Sequence, residues 1–166
     1  LVVVVLAARF RRPPAPAAVF APGISVLIAA YNEEKVIGAT LRAVLHSDHA
    51  GELEVLVVDD GSRDETAAEV EKIAQADGRV RLVRQTNRGK AVALRWGLTL
   101  LRHELVVFLD ADTHLQSDTL RHLVAPMSDA VVVAVSGHAK VGNLRSFIAR
   151  CQALDYTCGF YLDRRA

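Results

Sequence analysis

Asp110 and Asp112 are two carboxylates one residue apart, placed directly after the apolar run 105–109. Carboxylate oxygens are hard, anionic ligands suited to Mg²⁺ or Mn²⁺, ions that stay partly hydrated and share their shell with substrate phosphates. An apolar run of this length reads as a buried parallel strand, and open α/β sheets bind ligands beyond the carboxyl ends of such strands. The pair therefore reads as a handle for a metal and a diphosphate. Two more polar clusters follow similar apolar runs: Tyr31-Asn32-Glu33-Glu34 and Asp59-Asp60-Gly61-Ser62. In a parallel sheet all three would meet at one edge, where like charges repel unless a cation joins them.

The elements that must position these clusters alternate in type, as in an α/β domain with a mainly parallel sheet. Strands are expected at 25–30, 53–58, 80–83, 105–109 and 130–136. Helices are expected at 34–46, with Val36, Ile37, Leu41, Val44 and Leu45 on one face, and at 90–101, 117–127 and 144–162. Ser62 and Glu65 have the spacing of a capping box, which would start a helix running to about residue 75.

At 166 residues the length fits about one domain. Twenty basic against nineteen acidic residues leave a net charge of +1, with no basic stripe, which speaks against nucleic-acid binding. Cys151 and Cys158 are seven residues apart in a helical pattern, roughly 10 Å between Cα atoms, too far for a disulfide. Residues 1–8 are wholly apolar and are followed by Arg9, Arg11 and Arg12. They read either as the last turns of a transmembrane helix, with the arginines on the cytoplasmic side, or as a short apolar strand. Residues 11–22, rich in Pro and Ala, form a stiff linker to a domain over 23–166.

Other phosphate-binding motifs fail on inspection. Gly89-Lys90 is followed by Ala91, with Arg84 where a P-loop needs its first glycine, and no Gly-x-Gly-x-x-Gly occurs. A phospho-acceptor receiver domain would need an acceptor aspartate and a lysine at later strand ends; the later strand end carries Asp-x-Asp instead, which leaves that reading as an outside alternative.

Four segments in order, 25–34, 57–62, 87–91 with Leu94 and Gly97, and 108–113, resemble the family 2 glycosyltransferases. The resemblance implies the GT-A nucleotide-diphospho-sugar transferase fold, Rossmann-like, with this chain as its C-terminally truncated donor-binding portion. The stretch 141–166 is similar to membrane-bound synthases of poly-N-acetylglucosamine, chitin and hyaluronan. The implied activity is inverting transfer from a UDP-sugar, with UDP-N-acetylglucosamine as one candidate donor, to a growing β-linked polysaccharide. The domain would then lie on the cytoplasmic side of the plasma membrane. A polyprenyl-phosphate sugar transferase and a non-catalytic nucleotide-binding module are the alternatives.

By the same resemblance, Tyr31 would lie against uracil with Glu33 near the nucleoside, and Asp60 would accept from uracil N3–H. Lys90 would sit by the nucleotide, Asp110 on the ribose or metal side, and Asp112 on the Mn²⁺ or Mg²⁺ ion. Asp59 is read equally as a structural strand-end aspartate. His114 reads as a lone surface histidine and Trp96 as a core residue. Arg95 stands where the family often has Asn. The general base has no match before Ala166.

Overall fold

The computed structural model describes residues 4–7 and 20–137. Along the chain run β1 (Val4–Ala7), β2 (Ile24–Ala30), α1 (Ile37–Leu45), β3 (Leu53–Asp59), α2 (Thr66–Ala76) and β4 (Val80–Arg84). These are followed by α3 (Lys90–Leu98), β5 (Leu105–Asp110), α4 (Thr119–Val124), a 3₁₀ turn (Ala125–Ser128) and β6 (Ala134–Ser136). The six strands form one sheet in the order β4-β3-β2-β5-β1-β6. β2, β3, β4 and β5 are parallel, and β1 runs antiparallel between β5 and β6.

Strand alternation divides the core between the two faces of the sheet. Ile24, Val26 and Ile28 of β2 join Val55, Val57, Val107 and Leu109 on one face, packed on Ile37, Leu41 and Val44 of α1, Val70 of α2 and Leu120 of α4. Leu27, Leu56, Val58 and Val106 face the other way, against Ala93 of α3. The central strands are covered on both faces, so their sequences read as continuous apolar runs. Gly97 marks the closest approach of α3 to the sheet: a Cβ there would fall 2.5 Å from Leu27 Cδ1 and 2.9 Å from Val58 Cγ2.

Several elements differ from their sequence-based bounds. The helix expected at 117–127 divides at Pro126, whose missing N–H and fixed ring oppose α-helix and leave a 3₁₀ turn. The strand expected at 130–136 shortens to Ala134–Ser136, with Val131 and Val133 exposed before it. The helix expected from 34 starts at Ile37. Val4–Ala7, for which the sequence leaves a helix end and a short apolar strand both open, is a strand, as its Val-Val-Leu-Ala sequence suits a pleated surface. Among the described residues no helix is long and apolar enough to cross a membrane. The expected 144–162 helix, both cysteines and most of the 11–22 linker lie outside the described residues.

Candidate donor-binding site

Parallel register brings the three polar clusters level. Ala30 pairs with Asp59 and Ala29 with Asp110, so Tyr31, Asp60 and Asp112 leave adjacent strands at one edge. The spacing of the acidic pair has a packing cause. Ala111 packs into the hydrophobic core and also forms part of the cleft wall between Asp110 and Asp112, so a small apolar residue fits between them.

The loops after β2 and β3 are stitched together by side chains. Asn32, at φ 55°, donates its N–H to Ser62 Oγ at 3.0 Å, and its Oδ1 accepts from Arg63 N at 2.9 Å. Glu33 N donates to Thr66 Oγ1 at 2.8 Å, and Glu65 N to Glu34 Oε2 at 3.1 Å. The capping box expected from Ser62 and Glu65 therefore does not form. Ser62 serves the neighbouring loop, and Asp64 Oδ1 accepts from Thr66 N at 3.0 Å at the start of α2.

Asp60 organises the loop before α3. Its Oδ1 accepts from Gln85 Nε2 at 2.6 Å and Arg88 N at 2.9 Å, and its Oδ2 from Gly89 N at 2.8 Å. Burial opposes its charge, but these donors outweigh burial and hold its pKa below the usual aspartate value. Gly89, at φ 91°, then turns the chain so that Lys90 opens α3. Gly61, at φ 77°, lets the β3 loop pass that segment, since a Cβ there would meet Asn87 N at 2.7 Å.

Tyr31, Glu33, Asp60, Lys90, Asp110 and Asp112 all line one cleft of about 290 Å³ at the carboxyl edge of the strands. Lys90 Nζ bonds to Asp110 Oδ1. Asp112 is exposed, and its carboxylate has no partner among the described residues. Burial raises the Glu33 pKa above 4.5, and Asp112, Asp64 and Asp110 push it further in the same direction. The site thus holds more carboxylate than Lys90 neutralises.

Among the described residues no three His, Cys, Asp or Glu side chains form a self-sufficient metal centre. An ion of the Mg²⁺ or Mn²⁺ type takes one or two carboxylates and fills its shell with water and substrate phosphate. Asp112 and Asp110 are the neighbouring carboxylates that line the cleft after β5.

Asp59 is fully buried and points away from the cleft. Its Oδ1 accepts from Ser62 N at 3.0 Å and its Oδ2 from Arg84 Nε at 3.1 Å, which is the structural role. His114 is exposed and does not line the cleft. Trp96 is 36 % exposed, contrary to its reading as core, because α3 turns Ala93 and Gly97 inward. Sequence reasoning assigned no role to Gln85, Thr66 or Thr40, whose polar groups matter through contacts with distant segments. A larger cleft of about 700 Å³, lined by His49, Glu52, Arg79, Arg102 and His103, lies at the opposite end of the strands. It gathers no comparable set of converging acidic groups, so chemistry and not size selects the smaller one.

Comparison with known proteins agrees with this geometry. The family model described as glycosyl transferase family 2 matches residues 25–161. The poly-β-1,6-N-acetyl-D-glucosamine synthase of Staphylococcus aureus (strain COL) is 33% identical over 135 residues, 81% of this chain and 32% of that protein. The chain thus spans about a third of the length of the curated relatives it matches. A mannosyltransferase from Pyrobaculum calidifontis, solved in complex with GDP-Man and Mn²⁺, superposes with a TM-score of 0.62 at 35% identity, covering 66% of this chain and 33% of the other. S. aureus TarS 1–349, solved in complex with UDP-GlcNAc, gives 0.57 at 32% identity, covering 62% and 30%. The parallel sheet flanked by helices is that of the GT-A glycosyltransferases.

Proposed function

Since the chain belongs to glycosyl transferase family 2, we propose that its cleft binds the donor of an inverting, polysaccharide-forming sugar transfer, a UDP-sugar together with Mn²⁺ or Mg²⁺. The observation that carries this reading is the convergence of Tyr31, Glu33, Asp60, Lys90, Asp110 and Asp112 from three strand ends and one helix start into one cleft. Similarity to the poly-β-1,6-N-acetyl-D-glucosamine synthase favours UDP-N-acetylglucosamine as donor and a β-linked saccharide as acceptor; a membrane-associated place of action goes with that reading.

Tyr31, 42 % exposed at the mouth of the cleft, offers a ring to the base. Asp60 Oδ2 holds one N–H and keeps a lone pair for uracil N3–H. Lys90 brings a positive charge to the diphosphate, and Asp110 holds that lysine at the cleft. Glu33, whose pKa is raised by burial and its acidic neighbours, lies beside the nucleoside. Asp112 and Asp110 hold the divalent ion, which when bound stabilises the charge of the departing diphosphate. None of the cleft side chains is assigned the deprotonation of the acceptor; 23–166 acts as the donor-binding part.

The test is calorimetric titration of UDP, with GDP as control, with and without Mn²⁺, in the native chain and in Asp112→Ala. UDP binding that is preferred over GDP, is strengthened by Mn²⁺ and loses that strengthening in Asp112→Ala supports the donor site. Binding that Mn²⁺ does not strengthen in the native chain removes it.

A further inference from the structure

The turn that carries the acidic pair is held from outside by a residue of another element. Thr40 lies on the inner face of α1, 1 % exposed, and its hydroxyl donates to the Ala111 carbonyl at 2.7 Å, across 71 residues of sequence. A threonine inside a helix ordinarily bonds back to the carbonyl four residues earlier. Here that contact, to Val36 O, is the longer one at 3.3 Å, and a hydroxyl has one proton to give. The Ala111 carbonyl belongs to the peptide that joins Ala111 to Asp112. The turn is closed on its other side by Thr113 N donating to Asp110 O at 3.1 Å. Two bonds therefore set the backbone from which both carboxylates project, and one of them comes from α1.

We propose that Thr40 is a positioning residue of the donor site: its hydroxyl fixes the Ala111–Asp112 peptide and thereby aims the Asp112 carboxylate at the cation and diphosphate. The inference rests on the donor-site reading above. It assigns α1 a part in metal affinity although no α1 side chain lines the cleft. Partners that orient a ligating group typically account for roughly 10–100-fold in metal affinity.

The experiment compares the full chain with Thr40→Val, Thr40→Ser and Thr40→Ala. Mn²⁺ affinity in the presence of UDP is read by electron paramagnetic resonance, UDP affinity without metal by calorimetry, and amide exchange over 110–113 by mass spectrometry. Thr40→Val is expected to lose about tenfold or more in Mn²⁺ affinity. Its metal-free UDP binding should stay as in the native chain while exchange at 110–113 speeds up. Thr40→Ser should restore both properties. If Thr40→Val does not fold, the Ser and Ala variants, which differ by the hydroxyl alone, make the same comparison. Native Mn²⁺ affinity and native exchange in a folded variant lacking the hydroxyl would overturn the inference while leaving the donor site intact. Equal losses in metal-free and metal-dependent UDP binding would reduce Thr40 to a general structural role. Absence of Mn²⁺-dependent UDP binding in the native chain would overturn the donor-site reading, and this inference with it.

Discussion

Asp60 Oδ2 accepts the backbone N–H of Gly89 at 2.8 Å, so an aspartate at the end of β3 holds the residue from which α3 and Lys90 begin. The same carboxylate takes Arg88 N and the Gln85 amide. It is thus both a wall of the cleft and the anchor of the loop beside it. Asp60→Ala leaves two backbone N–H groups without their acceptor, at a cost of about 1–3 kcal/mol each where they are shielded from water. We expect a lower unfolding midpoint and a loss of UDP affinity. Asp60→Asn, which keeps one acceptor oxygen, should lose less of both, as thermal melts and calorimetry would report.

Glu33 is a carboxylate held against its preference. Burial and the charges of Asp112, Asp64 and Asp110 raise its folded-state pKa, so its ionisation opposes folding, and stability increases as pH falls through that pKa. Glu33→Gln should therefore raise the unfolding midpoint at neutral pH in metal-free buffer. The gain should shrink when Mn²⁺ and UDP are added, because the cation relieves the same repulsion in the native chain. A midpoint that falls in metal-free buffer would refute this account.

At the other end of the sheet Glu54 shows the opposite behaviour. Burial alone would raise its pKa. Hydrogen bonds from Ser25 Oγ at 2.7 Å, Arg102 N at 2.9 Å and Arg81 Nη1 at 2.5 Å prevail and lower it. A lowered folded-state pKa contributes stability that is complete above the unfolded value, near 4.5, and is lost as pH drops through the folded value. Acid unfolding should begin below about pH 4.5, with Glu54→Gln less stable at pH 7 and flatter in its acid limb. Equilibrium unfolding in urea across pH 3–7 measures this.

Gly97 has no room for a side chain. Gly97→Ala would drive a methyl into Leu27 and Val58, both fully buried or nearly so, where overpacking typically costs about 1–3 kcal/mol. The loss should appear in the denaturation midpoint of the metal-free protein, while the metal requirement for UDP binding stays unchanged.

Metal removal gives a further check on the acidic pair. Chelation should lower UDP affinity in the native chain and leave that of Asp112→Ala almost unaltered, because Asp112 lines the cleft and its carboxylate has no partner among the described residues. Lys90→Ala should weaken binding with or without metal, since its charge acts directly at the cleft.

The parallel strands and the shared edge carrying Tyr31, Glu33, Asp60, Asp110 and Asp112 were legible in the sequence because both depend on local pattern, whereas Lys90 enters only through the family resemblance. Five-residue apolar runs can only be satisfied when both faces are covered, which selects parallel strands, and strand ends in such a sheet share an edge. Residues 31, 60, 110 and 112 therefore meet by consequence of periodicity, and register places Ala30 beside Asp59 and Ala29 beside Asp110. What lay beyond the sequence was the use of polar side chains whose partners are far along the chain. Ser62 and Glu65 carry capping-box spacing, yet Ser62 is taken by Asn32 and Glu65 N by Glu34, because two loops brought together by the sheet offer donors that the helix start would otherwise have satisfied alone. Trp96 looked like core until the packing of Ala93 and Gly97 settled which face of α3 turns inward. Thr40 is one more apolar-face threonine in one dimension, and only the placement of α1 against the end of β5 joins its hydroxyl to Ala111. Periodicity, which is local, determined the strands and their shared edge; pairings between segments 25 to 71 residues apart were decided by tertiary structure, because a hydrogen bond has no spacing rule until the fold supplies the distance.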